Sequence, residues 1–235
     1  MIDIHSHVLP GVDDGVKTLA SSIELIRELS RSGVTDIIAT PHYVSETRYV
    51  SRKDNNLRLL EEVKSALLAE QINVEIYLGN EIYIDPKIAK MISDGTISSM
   101  AGSRYVLVEL PLNKSYPSYR DILVDLLDMG YRVILAHPER YEIIQTSYDV
   151  LLELHSLGVL FQCNLGSVMG KYGIEAKTVV KRIMKDGLVF AFGSDAHHCH
   201  GVDYWVKAQK KVAKYCSERQ FNQAMTLNPR KMLLK

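Results

Sequence analysis

The chain has 235 residues, 46% of them hydrophobic and 24% charged, enough apolar material for one large domain with a sizeable core. Its 28 Lys and Arg balance 28 Asp and Glu, which leaves out the basic excess of a general nucleic-acid binder. Three scattered cysteines, Cys163, Cys199 and Cys216, make no CxxC pair, and no leader or bilayer-length apolar run is visible. A reduced, cytoplasmic setting without membrane insertion is expected.

Strands and helices alternate along the chain. Residues 2–4 open a short strand. A helix from about Thr18 carries Leu19, Ile23, Ile26 and Leu29 on one face and stops at Gly33. Residues 36–40 read as a buried strand, and Leu57, Leu60, Val63 and Leu67 mark the next helix. Strands follow at 74–78 and 105–109, with a short segment near Pro86 between them. Ser118 then caps a helix with Ile122, Leu126 and Leu127 that ends at Gly130. A strand at 132–136, a helix ending at Gly158, a strand at 159–164, a helix ending at Gly187 and a strand at 188–192 complete the pattern; one or two helices are expected beyond. Helices that end in glycine directly before apolar runs are the signature of a parallel α/β fold. Seven such runs, without polar alternation, fit a closed barrel or a doubly wound sheet.

The polar residues collect at the C-terminal ends of these strands. The first strand ends in His5 and His7, the second in His42, the third in Glu81, the fourth in Glu109, the fifth in His137 and Arg140, and the seventh in Asp195 and His197. Barrel enzymes build their sites at this rim from several strands. Residues i and i+2 on a strand share a face, so His5 with His7, and Asp195 with His197, can converge on one ion. Imidazoles and carboxylates without thiolates suit Mn, Fe or Zn in a reactive site.

Each piece also has a plainer reading. An HxH pair is common by chance, a single glutamate is usually solvated or salt-bridged, His137 before Pro138 could be a turn residue, and Ser194 or Asp195 could cap a helix. The weight lies in their recurrence at six equivalent positions. Arg140, three residues past His137, could offer a bidentate fork to a phosphate oxygen. Tyr43, Tyr49, Tyr83, Tyr116, Tyr119, Tyr141 and Tyr172 fall in expected rim loops and could wall a pocket, although most are expected to be half-buried packing residues. His155 reads as structural, and His198 and His200 as loop histidines. A thiol-based phosphatase needs Cys-x5-Arg, but the sixth residue after each cysteine is Met169, Trp205 or Asn222.

These segments together resemble the polymerase-and-histidinol-phosphatase (PHP) superfamily. Within it they are most similar to the manganese-dependent protein-tyrosine phosphatases of bacterial capsule and exopolysaccharide operons. The resemblance rests on MIDIHSH at 1–7, VDDG at 12–15, ATPH at 39–42, GNEIY at 79–83, VE at 108–109, AHPERY at 136–141, GSDAH at 193–197 and NPR at 228–230. It implies an α/β fold, a distorted (β/α)7 TIM-like barrel forming one domain over residues 1–235. It also implies two or three divalent ions, Mn2+ foremost with Fe or Zn as alternatives. His5, His7 and Asp195 would hold the first ion, with Glu81 bridging to a second completed by Glu109 and His137. Asp14, His42 and His197 would hold the third. Asp13 competes for the place given to Asp14, which the family pattern favours. Arg140 would act in catalysis and, with Tyr141, contact the substrate. That substrate would be the phosphotyrosine tail of a bacterial polysaccharide-assembly tyrosine kinase. A small-metabolite phosphatase, a nuclease and an inactive binding module are the alternatives.

Overall fold

Two of the seven expected strands are followed, past their expected ends, by short second segments, and these breaks shape the upper half of the fold. The structure, a computed structural model, describes residues 1–113, 116–199 and 202–234. β1 (Ile2–Ser6), β2 (Asp36–Ala39) and β4 (Glu75–Leu78) form one parallel sheet in that order. β3 (His42–Tyr43), β5 (Glu81–Tyr83), β6 (Tyr105–Glu109), β7 (Arg132–Ala136), β8 (Leu160–Asn164) and β9 (Val189–Gly193) form a second. Pro41, which lacks a ladder N–H, separates β2 from β3, and Gly79 with Asn80 separates β4 from β5. Pairing continues across both kinks, with Gly79 N–H donating to Ala39 O at 2.8 Å and Glu81 N–H to Pro41 O at 3.2 Å. The sheets are therefore lower and upper storeys of one wall.

The wall closes at the top. Ser6 bridges Ala196 in parallel, Asp195 N–H donates to His5 O at 2.8 Å, and His7 N–H donates to Ala196 O at 3.0 Å. Of the two architectures open from the sequence, the closed barrel is the one formed.

Inside the barrel, Ile2, Ile4, Ile38, Leu107, Ile134, Ala136 and Ala191 form an apolar floor. Met100, from the turn Met100–Gly102 packed against β4 and β6, joins it, as does Met232 of the helix Asn228–Leu233. The larger outer core lies between strands and helices, where α1 (Leu19–Arg31), α2 (Lys53–Ala69), α4 (Tyr119–Asp128), α6 (Asp149–Ser156) and α8 (Gly173–Lys185) bury their apolar stripes. Here α3 is Ile88–Ser93, α5 is Glu142–Thr146 and α7 is Leu165–Met169; α9 (Val202–Val212), α10 (Glu218–Asn222) and α11 (Asn228–Leu233) follow. Thr18, where the helix was expected to begin, caps α1 in a capping box with Ser21. Ser118 stands at the start of α4 but makes no side-chain cap bond, and Leu57 is 41% exposed, its expected place on the buried stripe of α2 taken by Leu59. The four expected helix-ending glycines all take positive φ. Among the described residues no helix is long and apolar enough to cross a membrane.

Candidate metal centre

Strand parity lifts the barrel interior from apolar floor to polar rim. Ile38 leads by steps of two to Thr40 and His42, Tyr77 to Gly79 and Glu81, Leu107 to Glu109, and Ala191 to Gly193 and Asp195. Three candidate ligands break the step. Ile2 and Ile4 share the floor, so simple alternation would turn His5 and His7 outward; a register irregularity between Asp3 and Ser6 turns them in. His137 follows the floor residue Ala136 directly and reaches inward through a left-handed backbone at φ 31°. Asp195 is left-handed too, at φ 49°. Such backbone costs about 1–3 kcal/mol per residue and gathers at functional sites.

All nine expected ligands meet in one cluster. Glu81 Oε2 lies 3.1 Å from His5 Nε2, 3.3 Å from His7 Nε2 and 3.1 Å from His42 Nδ1. Glu109 approaches His42 Nδ1 at 3.7 Å and His137 Nε2 at 3.5 Å, while Glu81 Oε1 meets His137 Nε2 at 3.0 Å. Asp14 Oδ1 is 3.5 Å from His42 Nε2 and 3.4 Å from His197 Nε2. Asp195 Oδ1 is within 3.7 Å of His5, His7 and His197. Three sets of donor atoms are close enough to share an ion: His5, His7 and Glu81; His42, Glu81 and Glu109; and His7, Asp14, His42 and His197. In these sets His7 and His42 each serve two groups, a more shared arrangement than the partition expected from the sequence.

The donor set fits divalent metals on a test internal to the protein. Glu81 Oε2, though fully buried among imidazole nitrogens, has no hydrogen bond of proper geometry, and His42 Nδ1, 3.1 Å from it, also lacks one. Buried polar atoms are rarely left so. Lone pairs that crowd one space without bonding each other are what a shared cation satisfies. His7 is pre-set for this role: its Nδ1 lies 2.7 Å from Asp13 Oδ2, which fixes a proton there and, in the neutral ring, leaves Nε2 as the lone-pair atom facing the cluster.

Electrostatics point the same way. Burial opposes charge throughout, yet the His5 and His42 rings hold Glu81 well below the carboxylate range, and His5 does the same for Asp195. His5 itself, against the effect of burial, is pushed up to about 9 by Glu81 and Asp195. Burial, and then Glu81, push Glu109 up. The cluster is an anionic nest that retains protons where cations are lacking.

The neighbouring acid sorts itself out. Asp13 is buried and accepts from His7 Nδ1, from His42 N–H at 3.0 Å and from Gly15 N–H at 2.9 Å; it braces the cluster, whereas Asp14 faces it. Gly15 is required because a Cβ there would sit 2.5 Å from both Cβ and O of His7. Asp3, missed in the sequence, is buried and accepts from His5 N–H and Ser194 N–H, pinning β1 to the end of β9. Ser194 accepts from Ala196 N–H within a turn and caps no helix.

A cleft of about 320 Å³ opens over the cluster, lined by Asp14, His42, Tyr49, Tyr83, Glu109, Leu112, His137, Arg140, Asp195 and His197 among others. Arg140 extends from the turn Pro138–Arg140, donates to Asp195 Oδ2 at 3.0 Å and lies 4.4 Å over the Tyr172 ring. Tyr141 corrects the expectation of substrate contact. It is fully buried, its hydroxyl donates to Ala136 O at 2.7 Å and accepts from Leu110 N–H at 3.0 Å, and its ring lies 5.6 Å from that of His137. It braces strand ends from behind. Of the other tyrosines, Tyr49 and Tyr83 line the cleft, whereas Tyr43, Tyr116 and Tyr119 pack into the outer core. His155 is exposed on α6, its ring 6.1 Å from that of Phe161, and takes no part in the cluster. The His198 ring is 6.3 Å from that of His197, and His200 lies outside the described residues.

A closed parallel barrel with five imidazoles and four carboxylates gathered at its rim defines a metal-dependent hydrolase. CapC from Staphylococcus aureus is 33% identical to this chain over 93% of it and 86% of the relative. The tyrosine-protein phosphatase CpsB from Streptococcus pneumoniae is 30% identical over 100% of this chain and 98% of the relative. A crystal structure from work on YwqE of Bacillus subtilis and CpsB of S. pneumoniae, described as metal-dependent tyrosine phosphatases, superposes with a TM-score of 0.91 at 29% identity, covering 99% of this chain and 94% of that one. The family of capsular polysaccharide synthesis proteins CpsB/CapC matches residues 1–234, and the chain belongs to it. The family and the distorted barrel expected from the motifs are both borne out.

Proposed function

We propose that residues 1–235 act as one metal-dependent phosphatase domain that hydrolyses phosphotyrosine on protein. The substrate is the tyrosine-rich tail of a bacterial polysaccharide-assembly kinase, and the setting is the cytoplasm. The observation that carries the reading is Glu81 Oε2, in contact with three imidazoles yet bonded to none. Membership of a family whose relatives are tyrosine phosphatases, and a cleft walled by Tyr49 and Tyr83, support the choice of an aryl phosphate.

His5, His7, Glu81 and Asp195 would hold one ion, Glu81, Glu109 and His137 a second, and Asp14, His42 and His197 a third, with Mn2+ favoured over Fe or Zn. Bound there, the ions supply Lewis acidity for a water nucleophile and for the developing phosphoryl charge. Arg140 reaches into the same cleft with Asp195 and Tyr172 fixing its plane, so its remaining N–H donors are aimed to grip a phosphate oxygen. Burial opposes its charge, but Asp195 keeps the guanidinium protonated. The Tyr49 ring, 6.2 Å from that of His42, is placed to lie along the substrate's own ring.

The test is turnover of an aryl phosphate, a phosphotyrosine peptide, histidinol phosphate and a short oligonucleotide under one condition. Chelation should abolish turnover and Mn2+ restore it, with the aryl and peptide substrates preferred. A metal-restored preference for histidinol phosphate would move the protein to the small-metabolite branch. No metal uptake and no hydrolysis would leave an inactive binding module.

A further inference from the structure

Six of the barrel strands end in imidazoles or acids, but β8 ends in Gln162, Cys163 and Asn164. By parity from Leu160, which packs on the floor, Gln162 and Asn164 face inward while Phe161 and Cys163 join the outer core. Both amides are fully buried, beneath the cluster of candidate ligands.

Their hydrogen bonds form a chain in which no member can point the other way. Asp195 Oδ2 is a carboxylate oxygen and can only accept, so Asn164 must offer it Nδ2, at 2.6 Å. Asn164 Oδ1 then faces Gln162, which must donate through Nε2 at 2.9 Å. That turns Gln162 Oε1 toward His5 Nδ1 at 2.8 Å and toward the backbone N–H of His137 at 3.3 Å. The backbone N–H can only donate, so the polarity is fixed independently at both ends. His5 Nδ1 must carry a hydrogen, and in the neutral ring Nε2 is left bare, 3.1 Å from Glu81 Oε2.

The chain is anchored and its space is cleared. Buried Glu139 accepts from Asn164 N–H at 2.8 Å and from Ser167 Oγ at 2.6 Å, fixing the strand end. At Gly193 a Cβ would lie 2.7 Å from His5 Cβ and 2.8 Å from Gln162 Nε2, so only glycine leaves room for the contact.

We propose that Gln162 and Asn164 are positioning residues for the metal centre: their amide chain carries the acceptor polarity of Asp195 to His5, holds the His5 proton on Nδ1 and keeps Nε2 free for a divalent cation. One strand without a ligand thus orients ligands from β1, the end of β7 and the end of β9. The inference rests on the metal reading given above. Partners of this kind are worth about 10–100-fold in metal affinity.

The test uses the full chain with Mn2+ for affinity and diamagnetic Zn2+ for NMR. Wild type should show an exchange-protected Nδ1–H resonance from His5. Gln162→Met, unbranched and of similar length, should lose that resonance and bind Mn2+ about 10–100-fold more weakly. Asn164→Ser, which keeps its backbone bond to Glu139 but cannot reach Asp195 as well, should move in the same direction by less. Should Gln162→Met fail to fold, Asn164→Ser decides the matter through the same two readouts. If wild type binds the ions and the folded variants keep both the resonance and an affinity within about threefold, the positioning role is overturned while the metal reading stands. If wild type takes up no divalent ion, the metal reading itself falls and the positioning role with it.

Discussion

The floor and the rim of the barrel are built by the same strands and differ in what they can tolerate. At the floor, Ile4, Ile38, Leu107 and Ile134 fill space, and stability follows from area removed from water. At the rim, a few residues further along, buried carboxylates and imidazoles crowd together at distances that only shared cations or protons make acceptable. The floor is satisfied within the chain, and the rim is completed from outside it. A protein can hold such a rim because the layer beneath is buried and apolar.

The largest break in this contrast is expected at Glu81. Glu81→Ala should cut phosphatase turnover by on the order of 10³-fold or more and lower bound metal, with the circular dichroism of the fold unchanged. Retained metal and turnover would remove the rim's central member. Arg140→Ala should reduce turnover by about 10²-fold while metal content stays level; loss of metal in that variant would place Arg140 among the supports of the ligands instead of on the phosphate. Leu107→Ala should do the opposite of both, lowering unfolding free energy by about 2–5 kcal/mol in urea titration while turnover per folded molecule holds. A collapse of turnover at full folding would show that floor and rim are not separable. The gentlest probe is pH. His5 is pushed up to about 9 and must shed its proton to ligate, so Mn2+ affinity should rise with pH up to about 9 and fall below it, by as much as about tenfold per unit for each proton displaced. Calorimetry in buffers of different ionisation enthalpy would count those protons, and an affinity flat across this range would contradict the protonated nest.

Most of the rim was legible because strand parity is a local property. His42, Glu81, Glu109 and Asp195 each stand an even number of steps above a residue that belongs to the floor or faces it, and their spacing announces them. His5 and His137 face inward only through a strand irregularity and a left-handed residue, which no alternation pattern reveals; they were found as residue types at strand ends. The short strands beyond Pro41 and Gly79, His42–Tyr43 and Glu81–Tyr83, were not among the expected seven, because segments so brief carry no apolar run to report them. Gln162 and Asn164 escaped notice since neutral amides look like any polar strand end, although their i, i+2 spacing on the one strand lacking acids or imidazoles was a usable signal. Tyr141 failed as a substrate contact because adjacency to Arg140 in sequence puts it on the opposite side of the turn, behind the strand ends.

Barrel closure joins Ser6 to Ala196, and these two positions are separated by most of the chain. Contacts of such long sequence separation form late in folding. A partly folded chain would carry His5, His7, His42 and Glu81 near one another before Asp195 and His197 arrive, a half-built cage with weak hold on any ion. Metal loading then becomes a certificate of finished folding, and refolding followed by Mn2+ uptake should lag behind the recovery of helical signal.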